Sequence, residues 1–139
     1  MLRLSKDEIK EIIPHRDPML LIDEIEIDVD TSVKGIYYFT GEEWFFKGHY
    51  PQKPIVPGVI LCEIMAQTSC GLLIDNLKGK SPYLISINNT KFRKMVKPKD
   101  TLNIISNLSY IKGPFYYVSS RAFINDTLSV ESEFSFLIK

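Results

Sequence analysis

His49 and Glu63, fourteen positions apart, are the side chains of this sequence best suited to moving protons. His49 stands in Gly48-His49-Tyr50-Pro51, within a loop stiffened by Pro51, Pro54 and Pro57. The loop leads into Val59-Ile60-Leu61-Cys62, an apolar run whose first carboxylate is Glu63. Neutral histidine is the natural base near pH 7. A glutamate among Ile60, Leu61, Ile64 and Met65 is set for burial to raise its pKa, so that it keeps a proton and serves as an acid. Pro57-Gly58 marks a helix start, because proline's missing N–H costs nothing in a first turn. The backbone N–H groups of Gly58 and Val59 are then placed to stabilise an oxyanion. Gln67, at i+4 from Glu63, is placed to orient the carboxyl group. A base, an acid and oxyanion donors beside an apolar wall can take an α-proton and a β-hydroxyl from an acyl thioester. A loop histidine alone is ordinarily a satisfied polar residue, and a glutamate alone ordinarily marks a helix's wet face. Neither signal is decisive without the other and the intervening loop.

The positioning elements follow from local patterns. Ser5-Lys6-Asp7-Glu8 is a capping box with Leu4 and Ile9 as a hydrophobic staple, which predicts a short helix to about Ile13, closed by Pro14. Leu20–Asp30 and Val33–Thr40 read as extended, with Ile25, Ile27 and Val29 alternating against Glu26, Asp28 and Asp30. A long helix is expected from Pro57-Gly58 to about Leu77, buried because it is apolar on most sides until Asp75. Tyr83–Lys94, Thr101–Ile111, Phe115–Asn125 and Thr127–Ile138 are rich in β-branched and aromatic residues. Turn chemistry separates them at Pro98-Lys99-Asp100, Lys112-Gly113-Pro114 and Asn125-Asp126, so the final strands should be antiparallel. In the last strand Val130, Phe134, Phe136 and Ile138 should face inward, opposite Ser129, Glu131, Glu133 and Ser135. One apolar helix needs an apolar sheet face around it, which is an α+β arrangement.

The 139 residues suit a single domain, 1–139. Seventeen basic and seventeen acidic side chains balance, which argues against general nucleic-acid binding. No apolar window of transmembrane length is expected, and no signal-peptide pattern precedes the first helix, so the chain reads as cytoplasmic. Cys62 and Cys70, eight residues apart, are too far apart on one helix for a disulfide and read as buried thiols. With two histidines elsewhere they do not make a zinc site.

Three segments resemble the FabZ-type β-hydroxyacyl-[acyl-carrier-protein] dehydratases of fatty acid synthesis. These are Ile13-Pro14-His15-Arg16-Asp17-Pro18-Met19-Leu20-Leu21-Ile22-Asp23, the stretch from Gly48-His49-Tyr50-Pro51 through Pro57-Gly58-Val59 to Glu63-Ile64-Met65-Ala66-Gln67, and Lys91-Phe92-Arg93-Lys94-Met95-Val96-Lys97-Pro98-Lys99-Asp100. The resemblance implies the hot-dog fold, a curved antiparallel sheet wrapped around one central helix. It implies His49 and Glu63 as the catalytic pair, Gly58 as the oxyanion donor and no metal or redox cofactor. The substrate would ride on the phosphopantetheine of acyl carrier protein. It further implies a homodimer whose sites each draw on both subunits, and trimers of such dimers. Glu63, where a dehydratase–isomerase branch has aspartate, favours simple dehydration. Tyr50, Gln52 and Lys99 depart from the pattern and touch tunnel shape more than reaction.

Lys91, Arg93, Lys94 and Lys97, with Lys99, form a basic cluster in a neutral chain, read as a dock for the acidic carrier protein against a solvated strand edge as the plainer alternative. His15 reads as a packing residue rather than a second base, and Asp23 as a partner for Arg16. Tyr37, Tyr38, Phe39, Trp44, Phe45 and Phe46 read as core, interface or tunnel. A hot-dog thioesterase, a non-catalytic acyl-binding protein and a polyketide or polyene dehydratase are the rival readings. His49 in its loop favours dehydration over the first.

Overall fold

A computed structural model describes residues 2–28 and 32–139. The chain opens with β1 (Leu2–Ser5) and α1 (Lys6–Ile9), followed by β2 (Glu24–Ile27) and β3 (Ser32–Tyr38). The expected capping box is present: Ser5 caps Glu8 N–H, and Glu8 reaches back to Ser5 N–H. The helix is a single turn rather than a run to Ile13. The residues before the cap, expected only as a staple, form β1 and pair with β2. The alternation of Ile25 and Ile27 survives in β2, whereas Val29 and Asp30 lie outside the described residues.

The helix α2 (Gly58–Ser69) gives way to a 3₁₀ stretch at Cys70–Asn76, so the expected helix to Leu77 is divided. The local cause is visible: the Thr68 and Ser69 hydroxyls bond back to Ile64 O and Met65 O, a habit that bends helices. Together the two stretches make a 19-residue run, Gly58–Asn76, long and apolar enough to cross a membrane, contrary to expectation. The run is 67% buried inside the protein, as befits a core helix.

The long strands are β4 (Pro82–Phe92), β5 (Thr101–Lys112), β6 (Phe115–Ile124) and β7 (Thr127–Ile138). β5, β6 and β7 form consecutive antiparallel hairpins, turning at Gly113 and Asn125 with φ of +60° and +47°. The sheet order is β1-β2-β3-β5-β6-β7-β4, so β4 does not lie beside the strand that follows it but pairs with β7 at the sheet edge. One face of this antiparallel sheet packs on α2 through β3, β5, β6 and β7. Ile64 and Met65 of the helix are buried with Leu102, Ile104, Val118, Val130 and Phe134 of the strands. This is the α+β hot-dog arrangement expected.

Inward-facing serines are satisfied in pairs: Ser69 bonds Ser106 at 2.9 Å, and Ser106 bonds Ser120 at 2.7 Å. Ser129 and Ser135 are also buried, although the alternation of β7 placed them outside. Ser129 is closed over by the chain leaving β4, donating to Lys94 O, and Ser135 meets Ser86 across the strand pair.

Candidate active site

The loop carrying His49 is tied to the chain beyond β4 by Val56 N–H donating to Val96 O at 2.8 Å. Within the loop, His49 Nδ1 lies 3.1 Å from Ile55 O. A carbonyl only accepts, so the Nδ1 proton points to it and Nε2 of the neutral ring is left bare, the form a general base needs. Tyr50 stacks edge-on against the imidazole at 4.7 Å, from a backbone with φ of +50°.

His49 opens onto a groove of about 710 Å³, shared with Pro57, Gly58, Val59, Phe92 and Met95. Pro57 caps α2, and the first intrahelical bonds come from Ile60 and Leu61 N–H to Pro57 O. The Gly58 and Val59 amides therefore belong to the first turn, where helix donors are left for a ligand. Gly58 has a steric reason as well: a Cβ there would stand 2.9 Å from the Phe92 ring. The groove is largely apolar, and Val59, Met95 and Phe92 are 75%, 62% and 55% exposed.

Glu63 lies on the same helix but lines a different, small cavity of about 60 Å³ with His15, Gln67, Cys70, Leu84 and Phe136. Gln67 Nε2 donates to Glu63 Oε1 at 2.9 Å and to Met19 O at 2.7 Å, while Gln67 Oε1 accepts from Leu21 N–H at 2.9 Å. His15 Nε2 lies 3.3 Å from the same Glu63 Oε1. The expected rise in the Glu63 pKa is not what the site produces. The His15 hydrogen bond, helped by Gln67, outweighs burial and holds the carboxyl below the usual 4.5. Nearby Cys70 is pushed up to about 12, by burial first and then by the Glu63 charge.

The two sequence-derived candidates thus line separate cavities of one chain. His15, read as packing, is the residue that sequence reasoning missed. Its signal was the Pro14-His15-Arg16 run, which says nothing of which carboxylate the ring will meet. Arg16 does not pair with Asp23; its guanidinium donates to Lys10 O, Ile13 O and His15 O. Asp23 instead pairs with Lys6 at 3.3 Å and accepts from Tyr38 N–H. Of the basic cluster, Arg93 and Lys94 line the His49 groove, and Arg93 also lies 3.4 Å from Glu131. Lys91 sits on β4, and Lys97 N–H donates to Asp100, so these two flank the groove in sequence without lining it. Among the aromatics, Phe39, Phe45 and Phe46 are buried together, whereas Trp44 is half exposed.

A family of FabA-like domains matches residues 13–132. A 3-hydroxyacyl-[acyl-carrier-protein] dehydratase FabZ of Clostridium acetobutylicum is 42% identical over 139 residues, spanning 97% of this chain and 98% of its own. The protein of that name from Caldicellulosiruptor bescii is 41% identical over 136 residues, spanning 96% and 97%. Solved structures are similar at much lower identity. A dehydratase heterocomplex from Xenorhabdus doucetiae superposes with a TM-score of 0.81 at 17% identity, over 98% of this chain and 91% of its own. A hypothetical thioesterase from Streptococcus pneumoniae, solved with coenzyme A, gives 0.65 at 14% identity over 94% and 90%. At such identities the likeness speaks for the fold alone.

Proposed function

Because the chain belongs to the FabA-like family and, within it, to the FabZ-type 3-hydroxyacyl-[acyl-carrier-protein] dehydratases of fatty acid biosynthesis, we propose how its own residues remove water. The bare Nε2 of His49 takes the α-proton of the (3R)-3-hydroxyacyl thioester. The Gly58 and Val59 amides hold the thioester oxygen as it gains charge. The β C–O bond breaks, and the electron pair left on the α-carbon forms the trans-2 double bond. The departing hydroxide leaves as water with the proton that His49 took. Glu63, ionised by its neighbours, accepts the hydrogen bond of the β-hydroxyl and aims the C–O bond, with Gln67 orienting it. This weights Glu63 toward positioning the hydroxyl rather than donating a proton to it. The observation that carries the reading is the His49–Ile55 contact, which supports a base at the mouth of an apolar groove beside a helix N-terminus. The chemistry calls on no metal or redox group, and the whole of residues 1–139 serves as one dehydratase domain.

The site is completed by a second copy, His49 of one subunit meeting Glu63 of the other. Two observations support this. The pair lines separate cavities in one chain, and the edge strand β4 exposes Tyr83, Leu84, Ile85, Ile87 and Phe92. A long apolar edge of this kind is ordinarily covered. Trimers of these dimers are the larger assembly proposed. Arg93 and Lys94 at the groove mouth suit an acidic carrier protein, joined by Lys91 and Lys97, in a contact that weakens with salt. Buried thiols at Cys62 and Cys70 accord with a cytoplasmic setting.

The test is turnover of 3-hydroxyacyl-carrier-protein substrates, followed as enoyl formation beside a free-thiol assay. Water loss that falls by about 10²-fold or more in His49→Ala and in Glu63→Gln, with the assembly intact, supports the mechanism. Near-wild-type turnover in either variant overturns it, and thiol release without dehydration moves the protein to thioester hydrolysis.

A further inference from the structure

We propose that His15 is a positioning residue for Glu63: its Nε2–H holds Glu63 Oε1, so that Oε2 is the oxygen offered to the substrate's hydroxyl. The inference rests on the reading of Glu63 given above.

Both the His15 and the Gln67 contacts converge on Oε1, at 3.3 and 2.9 Å. An ionised carboxylate only accepts, so each of these nitrogens must carry the proton between them. The imidazole of His15 is therefore protonated at Nε2. Nδ1 is the one buried side-chain nitrogen or oxygen without a hydrogen-bond partner among the described residues. It goes unpaired in either tautomer, so the choice rests on Nε2, where a bare lone pair would face the carboxylate. The two histidines of the chain thus stand in opposite tautomers. His49 gives Nδ1–H to Ile55 O and keeps a bare Nε2 on the groove, whereas His15 spends Nε2–H on Glu63 and buries its bare nitrogen. His15 cannot reach a substrate proton with that nitrogen, which removes it as a second base.

The ring is held from behind. Arg16 grips the carbonyls of Lys10, Ile13 and His15 itself, fixing the turn from which His15 projects. Gln67 pins the following segment through Met19 O and Leu21 N–H. Two donors, from the 15–21 segment and from α2, therefore clamp one oxygen of one carboxylate. The remaining titratable group lining this cavity is Cys70, whose thiol faces Ala66 O at 3.5 Å rather than the carboxylate.

Nuclear magnetic resonance on the full-length protein tests this directly. The ¹⁵N spectrum should show His15 with a proton on Nε2 and a bare Nδ1, the reverse of His49. The Glu63 side-chain carboxyl, followed by ¹³C, should titrate at higher pH in His15→Leu than in the wild type. His15→Gln, whose amide can reach the place of Nε2, should bring it back. In kinetics His15→Leu should lower kcat by about tenfold or more with KM little changed, and His15→Gln should recover part of the loss. A proton on Nδ1 of His15 in the wild type overturns the proposal whether or not either variant folds. So does a folded His15→Leu in which the Glu63 titration is unmoved. If the spectra hold but the wild type dehydrates nothing, the clamp stands and the proposed mechanism falls.

Discussion

Gln67 and Glu63 face each other across one turn of α2, with Gln67 Nε2 2.9 Å from Glu63 Oε1. The same amide bridges to Met19 O and Leu21 N–H, so one side chain ties the helix, the carboxylate and the 15–21 segment together. Gln67 is buried, and its bond from Leu21 N–H is buried with it, while its bonds to Met19 O and Glu63 are partly so. Gln67→Leu keeps the bulk but strands these partners. It should cost about 2 kcal/mol or more, since each orphaned buried group costs about 1–3 kcal/mol. Urea unfolding measures this, and a loss within about 0.5 kcal/mol, the range of an ordinary surface change, would show the bridge to be idle.

A shared site has a kinetic signature. His49→Ala and Glu63→Gln should each be inactive alone. Dissociated and reassembled together at equal ratio, they should regain about a quarter of wild-type turnover, since half the two-fold dimers are mixed and each mixed dimer holds one intact site. No regain, with exchange verified by mass, would place both residues of a working site in one chain. Ile85→Lys on the exposed edge strand should split the assembly and abolish turnover while the circular dichroism of the fold persists.

Acid stability should report Glu43. Burial pushes its carboxyl up, but hydrogen bonds from its own backbone, the Tyr37 hydroxyl, Thr40 N–H and Gly41 N–H together bring it below the usual 4.5. A carboxyl depressed on folding stabilises the protein above its unfolded pKa and loses that contribution as pH falls through the folded value. The unfolded chain binds the proton first, so stability must drop on acidification below 4.5. Glu43→Gln should shrink the difference between urea midpoints at about pH 7 and about pH 3.5. An equal difference in the two proteins would remove Glu43 from the acid response.

Gly35 on β3 lies against Thr68 of α2. A Cβ there would stand 2.6 Å from both Thr68 Cγ2 and Thr68 Oγ1 and 3.0 Å from Ile22 Cδ1. Thr68 cannot swing aside freely, being fully buried with its hydroxyl on Ile64 O. Gly35→Ala should therefore destabilise by about 1–3 kcal/mol through overpacking, read from the denaturation midpoint. An unchanged midpoint would mean that the helix rides away from the sheet without cost.

Much of this protein was legible in its sequence wherever the cause is local. The Ser5–Glu8 capping box, the helix start at Pro57-Gly58, the turns at Gly113 and Asn125 and the long strands β4 to β7 depend on neighbours within a few residues. His49 and Glu63 were likewise named by residue type and spacing. Tertiary structure decided the rest, because hydrogen bonding and charge depend on groups that chain order does not bring together. It put β4 beside β7 instead of β5, and it turned Leu2–Ser5 into a strand that exists only by pairing with β2. It also carried His15 onto Glu63, which reversed the direction expected of the carboxyl's pKa: burial alone would raise it, and a donor from a distant segment lowers it. The tautomers proposed for the two histidines rest on the same kind of contact, one with a carbonyl six residues away in the loop and the other with a carboxylate on α2.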